Sequence, residues 1–303
     1  MADRRLQVFA TVAKLLSFTK AAEALHMTQP AVTFQIRQLE EYFNTRLFDR
    51  THNRISLTEA GDLVFGYATQ ILQHSAEMDN AVRKLTGSVA GPLVVGASTT
   101  IGEYSIPGLM GRFQAAFPDV SLRLLVANTE SIVHMVEDNE IDVGVVEGPV
   151  NNKNLASKIC WNDELVCVCP ADHELAGMEN ITLEQLTGYP LIFREEGSGT
   201  RAEIMKYVEQ QGHSIKDLNI IMEFGSPESI KSAVEANLGL SILSKVTVTK
   251  EQELKLLATV SLSPELVRPF SLVYQRQKFR VRAMEEFMKF IHTEIDTPSS
   301  TEV

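Results

Sequence analysis

No stretch of the chain approaches the roughly 20 consecutive apolar residues that cross a bilayer, so neither a spanning helix nor a membrane partner is expected. The opening segment MADRRLQVFATVAKLL has only a short apolar stretch, broken by Lys14, with no small-residue cleavage site behind it; a soluble, cytoplasmic protein is expected. Cysteine is scarce. The three present, Cys160, Cys167 and Cys169, share one apolar strand-like run, ICWNDELVCVCP, with no neighbouring Cys or His cluster to complete a zinc set. They read as small core residues in a reducing compartment. The chain also lacks a G-x-S-x-G elbow, a Walker-A loop and an H-E-x-x-H pair, and its seven histidines are scattered. No catalytic residue, metal or cofactor is expected.

Positive charge is scarce too, and unevenly so. The total is 28 Lys+Arg against 39 Asp+Glu, a net charge of −11. Residues 1–60 nevertheless hold eight basic and six acidic side chains, a net of +2, which leaves −13 for the rest. Such a split suggests a small module that meets an anion and a larger acidic body with another task. The 303 residues, 44% of them hydrophobic, suffice for two or three domains with separate cores. Only the final DTPSSTEV reads as a loose polar tail.

In the small module, Leu6, Phe9, Val12 and Ala13 recur at helical spacing, predicting a first helix that ends near LLSF. Thr19 fits the N-cap of KAAEALH, whose Ala21, Ala22 and Leu25 offer a small, flat face for a crossing helix. Thr28 is a second cap signal, and Pro30 falls in the first turn, where a missing N–H costs nothing. Val32, Ile36 and Leu39 then form the buried stripe, leaving Gln29, Thr33, Phe34 and Arg37 on the outer face. That face suits base edges: Gln pairs with adenine, Thr touches a thymine methyl or hydrogen-bonds, and Arg takes guanine or phosphate. In RLFDRTHNRISLTEAG, Leu47 and Phe48 anchor a strand, THN turns, and RISLT returns. This predicts a β-wing with Arg50 and Arg54 placed to reach the DNA backbone or a minor groove.

The segment SFTKAAEALHMTQPAVTFQIRQLEEYFNTRLFDRTHNRISLTEAG resembles the winged helix-turn-helix of LysR-type transcriptional regulators, whose pattern runs A-A-x-x-L, S/T-Q-P/S-A-V-S/T, I-x-x-L-E, L-F-x-R and L-T-x-A-G. Nearly every element matches in order and spacing. Phe34 departs from it, standing where many relatives carry a polar or basic residue. The resemblance implies promoter DNA as partner, read by Thr28, Gln29, Pro30, Thr33, Phe34, Arg37, Arg50 and Arg54 in a domain over 1–60. RNA polymerase is left open as a further partner.

From Thr58 to about Leu85 there is no proline, and Val64, Ile71, Met78 and Leu85 are spaced by seven, with Ala68, Ser75 and Val82 four after the first three. So long a stripe cannot be buried within sixty residues and wants a partner helix, most simply from a second copy. In the resembled family this linker helix, here 58–88, forms the dimer contact and presents two recognition helices to a partly palindromic site. A homodimer, or a tetramer built on it, is expected.

TGSVAGPL marks a boundary. Beyond it, PLVVGA, SLRLLVA, DVGVVEG, ELVCVCP, LIFR, NIIMEFG and LSIL read as strands alternating with helices, the rhythm of a parallel α/β sheet. With the resemblance, which extends over essentially the whole chain, this implies a two-lobed, periplasmic-binding-protein-like effector domain over 91–295. One lobe would comprise 91–160 and 266–295, the other 161–265, with a ligand between them outside the carboxyl ends of the strands.

At those strand ends lie Ser98, Thr99 and Thr100, then Asn128 and Thr129, then Gly199, Thr200 and Arg201 behind a flexible GSG turn, and Ser226. Each taken alone reads equally well as helix capping. Several helix N-termini, hydroxyls and an Arg facing one cleft favour an anion. The motifs STTIGEYSIP, VGVVEGP and REEGSGTR are similar to the branch of regulators of sulfur-anion metabolism and carbon-fixation genes, which implies a small oxyanion or a small anionic metabolite as effector. Glu147 and Glu195 run against this unless paired, with Arg201 and Arg194 as candidate partners. Two other classes remain to be weighed: an enzyme, or a two-lobed solute-binding protein without a regulatory role. The second would carry a signal peptide and no helix-turn-helix.

Overall fold

The first helix, α1 (Arg4–Leu15), turns Val8, Phe9, Val12 and Ala13 inward, and these pack on the other elements of an N-terminal unit. Those elements are α2 (Phe18–Ala24), α3 (Gln29–Phe43), the antiparallel pair β1 (Phe48–Thr51) and β2 (Arg54–Leu57), and α4 (Glu59–Leu85). The computed structural model describes residues 4–51, 54–85, 89–148, 150, 152–276 and 281–296, which divide into Met1–Ser88 and Val89–Val303. The wing turn at His52 and Asn53, residues 86–88 of the expected boundary and the tail beyond 296 lie outside the described residues, as do the side chains of Arg50, Arg54 and Leu85.

Ser17, not Thr19, caps α2: its hydroxyl accepts from the Lys20 N–H, because α2 begins one residue before Thr19. Leu47 and Phe48 are buried, the Phe48 ring tilted against Phe9 and edge-on to Phe18. The expected stripe along α4 divides. Ala68 is buried and Val64 half-buried in this unit's own core, while Leu63, Tyr67, Ile71, Met78 and Val82 are exposed. At about 100° per residue these five share one face, an apolar band that His74 interrupts.

The second unit runs β3 (Gly91–Ser98), α5 (Ile106–Ala116), β4 (Val120–Ala127), α6 (Thr129–Glu137), β5 (Val143–Glu147), β6 (Leu155–Pro170), β7 (Asn180–Thr182), α7 (Leu183–Leu186), β8 (Leu191–Arg194), α8 (Gly199–Gln210), β9 (Ile220–Phe224), α9 (Pro227–Glu235), β10 (Ser241–Ser244), α10 (Thr249–Glu253), β11 (Leu257–Gln275) and α11 (Arg282–Asp296). Its sheet is mixed rather than parallel. β3 lies parallel to β4 and β5, but β11 runs antiparallel to β5 and β6, and β10 antiparallel to β6.

The long β6–β11 ribbon enters two separate groups of apolar cores. One gathers β3, β5, α5 and α11 with Trp161 and Phe270, and the packing of α6 continues it. The other gathers α7, α8, α9, β8 and β10 with Leu165 and Leu266. The unit is thus two lobes joined by a ribbon that passes from one core to the other within a few residues. Cys167 and Cys169 are buried in the second lobe, where burial pushes the Cys169 thiol up to about 11. Cys160, expected in the core, is only half-buried.

Candidate functional sites: a helix face and an interlobe cleft

On α3, Val32, Ile36 and Leu39 are buried, so the opposite side is presented outward. Thr28, Gln29, Pro30 and Arg37 are exposed, Thr33 is half-buried and Phe34 is 58% exposed. Thr28 has extended backbone at the N-cap position, but its hydroxyl makes no capping bond. Gln29 Nε2 donates to Thr33 Oγ1 at 3.0 Å, which fixes two polar groups side by side one turn apart.

The rest of the N-terminal pattern is wiring that holds this helix to the wing. Glu40 accepts from the backbone N–H of Leu47 at 2.9 Å and of Phe48 at 3.4 Å. The Thr58 hydroxyl donates to the Arg46 carbonyl and accepts from the Gly61 N–H. Gly61 is a close approach: a Cβ there would stand 2.1 Å from the Leu47 carbonyl oxygen. Backbone pairing sets Arg50 opposite Ile55 and Arg54 opposite Thr51 in the two-stranded wing.

In the second unit the polar strand ends converge between the lobes in two clusters. The first surrounds Arg194, buried at the end of β8, whose guanidinium grips Glu195 through Nε at 2.8 Å and Nη2 at 3.0 Å. Nη2 also donates across the cleft to Thr99 Oγ1 at 3.4 Å and to the Gly225 carbonyl. Ser98 and Thr100 are buried beside Thr99, the Ser98 hydroxyl with no hydrogen-bond partner. Ser226 caps α9, accepting from the Ser229 N–H. Residues Ile101–Ser105 form a π-helical turn, a form frequent at functional sites. From it the Tyr104 phenol donates to Glu228 of the other lobe, and Lys231 Nζ lies 5.2 Å from the centre of the Tyr104 ring. Burial, with help from Glu228, raises the Tyr104 phenol far above its ordinary value.

The second cluster lines a cavity of about 390 Å³ with Thr129, Glu130, Glu147 and Gly148 on one side and residues 196–199, 201–203 and Met205 on the other. Backbone closes part of its rim: the Glu130 N–H donates to the Gly197 carbonyl, and Asn128 Nδ2 to the Glu196 carbonyl. Asn128 also caps α6 through the Ser131 N–H. Thr129 Oγ1 donates to Glu147 Oε2 at 3.0 Å. Gly199, in the first turn of α8, lets these side chains approach the backbone closely: a Cβ would meet Thr129 Oγ1 at 2.6 Å and Glu147 Oε2 at 2.7 Å.

Glu147 and Glu195 each meet an arginine in this geometry. Glu195 does pair with Arg194. Arg201 does not pair with Glu147; it donates to the Arg194 carbonyl at 2.8 Å and bonds Glu223 within its own lobe. The partner of Glu147 is Arg268, a residue that sequence reasoning passed over. Arg268 is fully buried on β11, donating through Nε to Asp163 Oδ2 and through Nη1 to Thr200 Oγ1, each at 2.8 Å. Its Nη2 stands 3.7 Å from Glu147 Oε1. Burial pushes the Asp163 carboxyl up against the opposing pull of Arg268. The available signal was an arginine inside an otherwise apolar strand, LVRPFSLVY. Among the described residues no group of His, Cys, Asp and Glu is placed to hold a metal.

A DNA-shaped helix-turn-helix with a wing, followed by a two-lobed α/β unit with a polar cleft, defines the class of ligand-responsive DNA-binding regulators. Comparison with known proteins gives the family. The bacterial regulatory helix-turn-helix of the lysR family matches residues 4–62, and the LysR substrate binding domain matches residues 86–296. The chain belongs to the LysR family and is a transcriptional regulator with an effector-binding domain. It is 37% identical to a RuBisCO operon transcriptional regulator of Allochromatium vinosum, over 96% of this chain and 95% of that one. Among solved structures, the regulatory domain of Synechocystis PCC6803 CcmR in complex with 2-PG is 28% identical, covering 69% of this chain and 99% of that one, with a TM-score of 0.63. Full-length CbnR complexed with its target DNA shares the fold at 19% identity, 96% and 98% coverage and a TM-score of 0.66. No helix among the described residues is long and apolar enough to cross a membrane.

Proposed function

We propose that the protein is a cytoplasmic, homo-oligomeric regulator without enzymatic activity, which binds promoter DNA through α3 and the wing and answers to a small anion held between its lobes. Gln29 and Thr33 read bases, with Phe34 against a sugar or thymine methyl, Thr28, Pro30 and Arg37 beside them, and Arg50 and Arg54 on the backbone or minor groove. The exposed apolar band of α4 is the contact with a second copy.

The observation that carries the effector reading is the interlobe convergence of Ser98, Thr99, Thr100, Thr129, Thr200 and the α8 N-terminus with two buried arginines. Hydroxyls and helix-end N–H groups select an anion at short range, which suits a body whose net charge would repel one at long range. The likeness to the A. vinosum regulator and to the 2-PG complex supports a small phosphorylated or carboxylated metabolite tied to carbon fixation. Calorimetric titration of the full-length chain with 2-PG, inorganic phosphate and sulfate tests this. Thr100→Val and Arg201→Ala should each weaken binding of the preferred anion; unchanged affinity in both would place the sensor outside this cleft.

A further inference from the structure

The position expected for the anion is already filled by the protein itself. The Glu147 carboxylate lies at the first turn of the 12-residue α8, 2.7 Å from where a Gly199 side chain would begin, and accepts from Thr129. Its other oxygen is buried with no hydrogen-bond partner, and so is Arg268 Nη2, 3.7 Å away. The two side chains are 2% and 0% exposed. Arg268 is meanwhile hydrogen-bonded to Asp163, so two carboxyl groups share one buried cation. A buried charge pair that leaves a donor and an acceptor both unsatisfied is a poor structural bridge.

We propose that Glu147 is a built-in competitor for the effector: it holds the anion position between the α8 N-terminus and Arg268, and an anionic effector must displace it to bind. This deepens the anion reading of the cleft and rests on it. Glu147 ends β5, and Gly148 follows with φ +77°, a left-handed conformation that lets the strand end turn. Glu147 lines the 390 Å³ cavity, the space that a displaced carboxylate would enter. An incoming phosphate offers more oxygens than the Glu147 carboxylate and can satisfy Arg268 Nη2, orphaned now. Glu147 therefore sets the concentration at which the regulator responds, and it selects for anions that make more bonds than one side-chain carboxylate.

The test compares Glu147→Gln with Glu203→Gln, a second carboxylate lining the same cavity but salt-bridged to Lys206. Inorganic phosphate and 2-PG are titrated into full-length protein by calorimetry. Glu147→Gln should bind at least about tenfold more tightly than wild type, and Glu203→Gln within about twofold of it. Thermal unfolding supplies a second reading: loss of a poorly satisfied buried carboxylate leaves the midpoint unchanged or higher, whereas loss of a structural ion pair lowers it. If wild type binds either anion and Glu147→Gln binds no better, or if Glu203→Gln gains equally, displacement fails while the anion site stands. If neither wild type nor variant binds either anion, the anion reading fails and displacement with it.

Discussion

At the residue scale, two sets of side chains matter most: the outer face of α3 and the buried arginines of the cleft. Gln29→Ala should cost about 1–3 kcal/mol on the cognate site and little on random DNA, because a bidentate contact to adenine discriminates while phosphate contacts do not. Fluorescence anisotropy on both DNAs decides it; equal losses would remove Gln29 from base reading. Gly61→Ala places a methyl against the Leu47 carbonyl and should destabilise the N-terminal unit by about 2–3 kcal/mol, read by thermal unfolding. Residues that serve a local pattern were legible in sequence: the buried stripe of α3 and the Pro30 start follow from period and capping alone. Arg268 was not, because its partners Asp163 and Thr200 lie 105 and 68 residues away along the chain and only the fold brings them together.

At the scale of elements, α4 is the clearest case of a helix whose amphipathic period can be read but whose division of labour cannot. The period placed Ala68 and Ile71 in one stripe; in the fold Ala68 is buried in its own unit and Ile71 is 48% exposed. Ile71→Glu would set a charge in the proposed seam between copies, a burial that is costly without a partner. Sedimentation should show dimer converted to monomer with the second unit still folded, and an intact dimer would place the seam on another face. The helices and short buried strands of the second unit announce themselves through spacing. The ribbon of β6 and β11 does not, since each strand changes from one core to the other and the pairing slips between Ser261 and Leu266, which breaks any simple alternation. Its antiparallel return also makes the sheet mixed where the alternation of elements suggests a parallel one.

For the whole molecule, the uneven charge seen in sequence suits the proposed division of function: a slightly basic unit for a polyanion, and an acidic unit that would admit a small anion only through oriented donors. The two lobes of that second unit are already bridged, by Tyr104 to Glu228, Arg194 to Thr99 and Glu130 to Gly197. Tyr104→Phe removes one bridge and should speed hydrogen exchange across residues 98–106 and 226–231, whereas unchanged exchange would show that the bridge does not hold the lobes. An effector acts on DNA binding only through a difference in its affinity for two states of the protein, typically 1–3 kcal/mol of coupling. The central claim, that an anion between the lobes governs promoter binding, is tested most directly by footprinting the full-length protein on the DNA upstream of its own gene, with and without the anion that calorimetry selects. The footprint should change in extent or in half-saturating protein concentration with wild type, and stay fixed with Thr100→Val. An identical wild-type footprint at saturating anion would contradict the account.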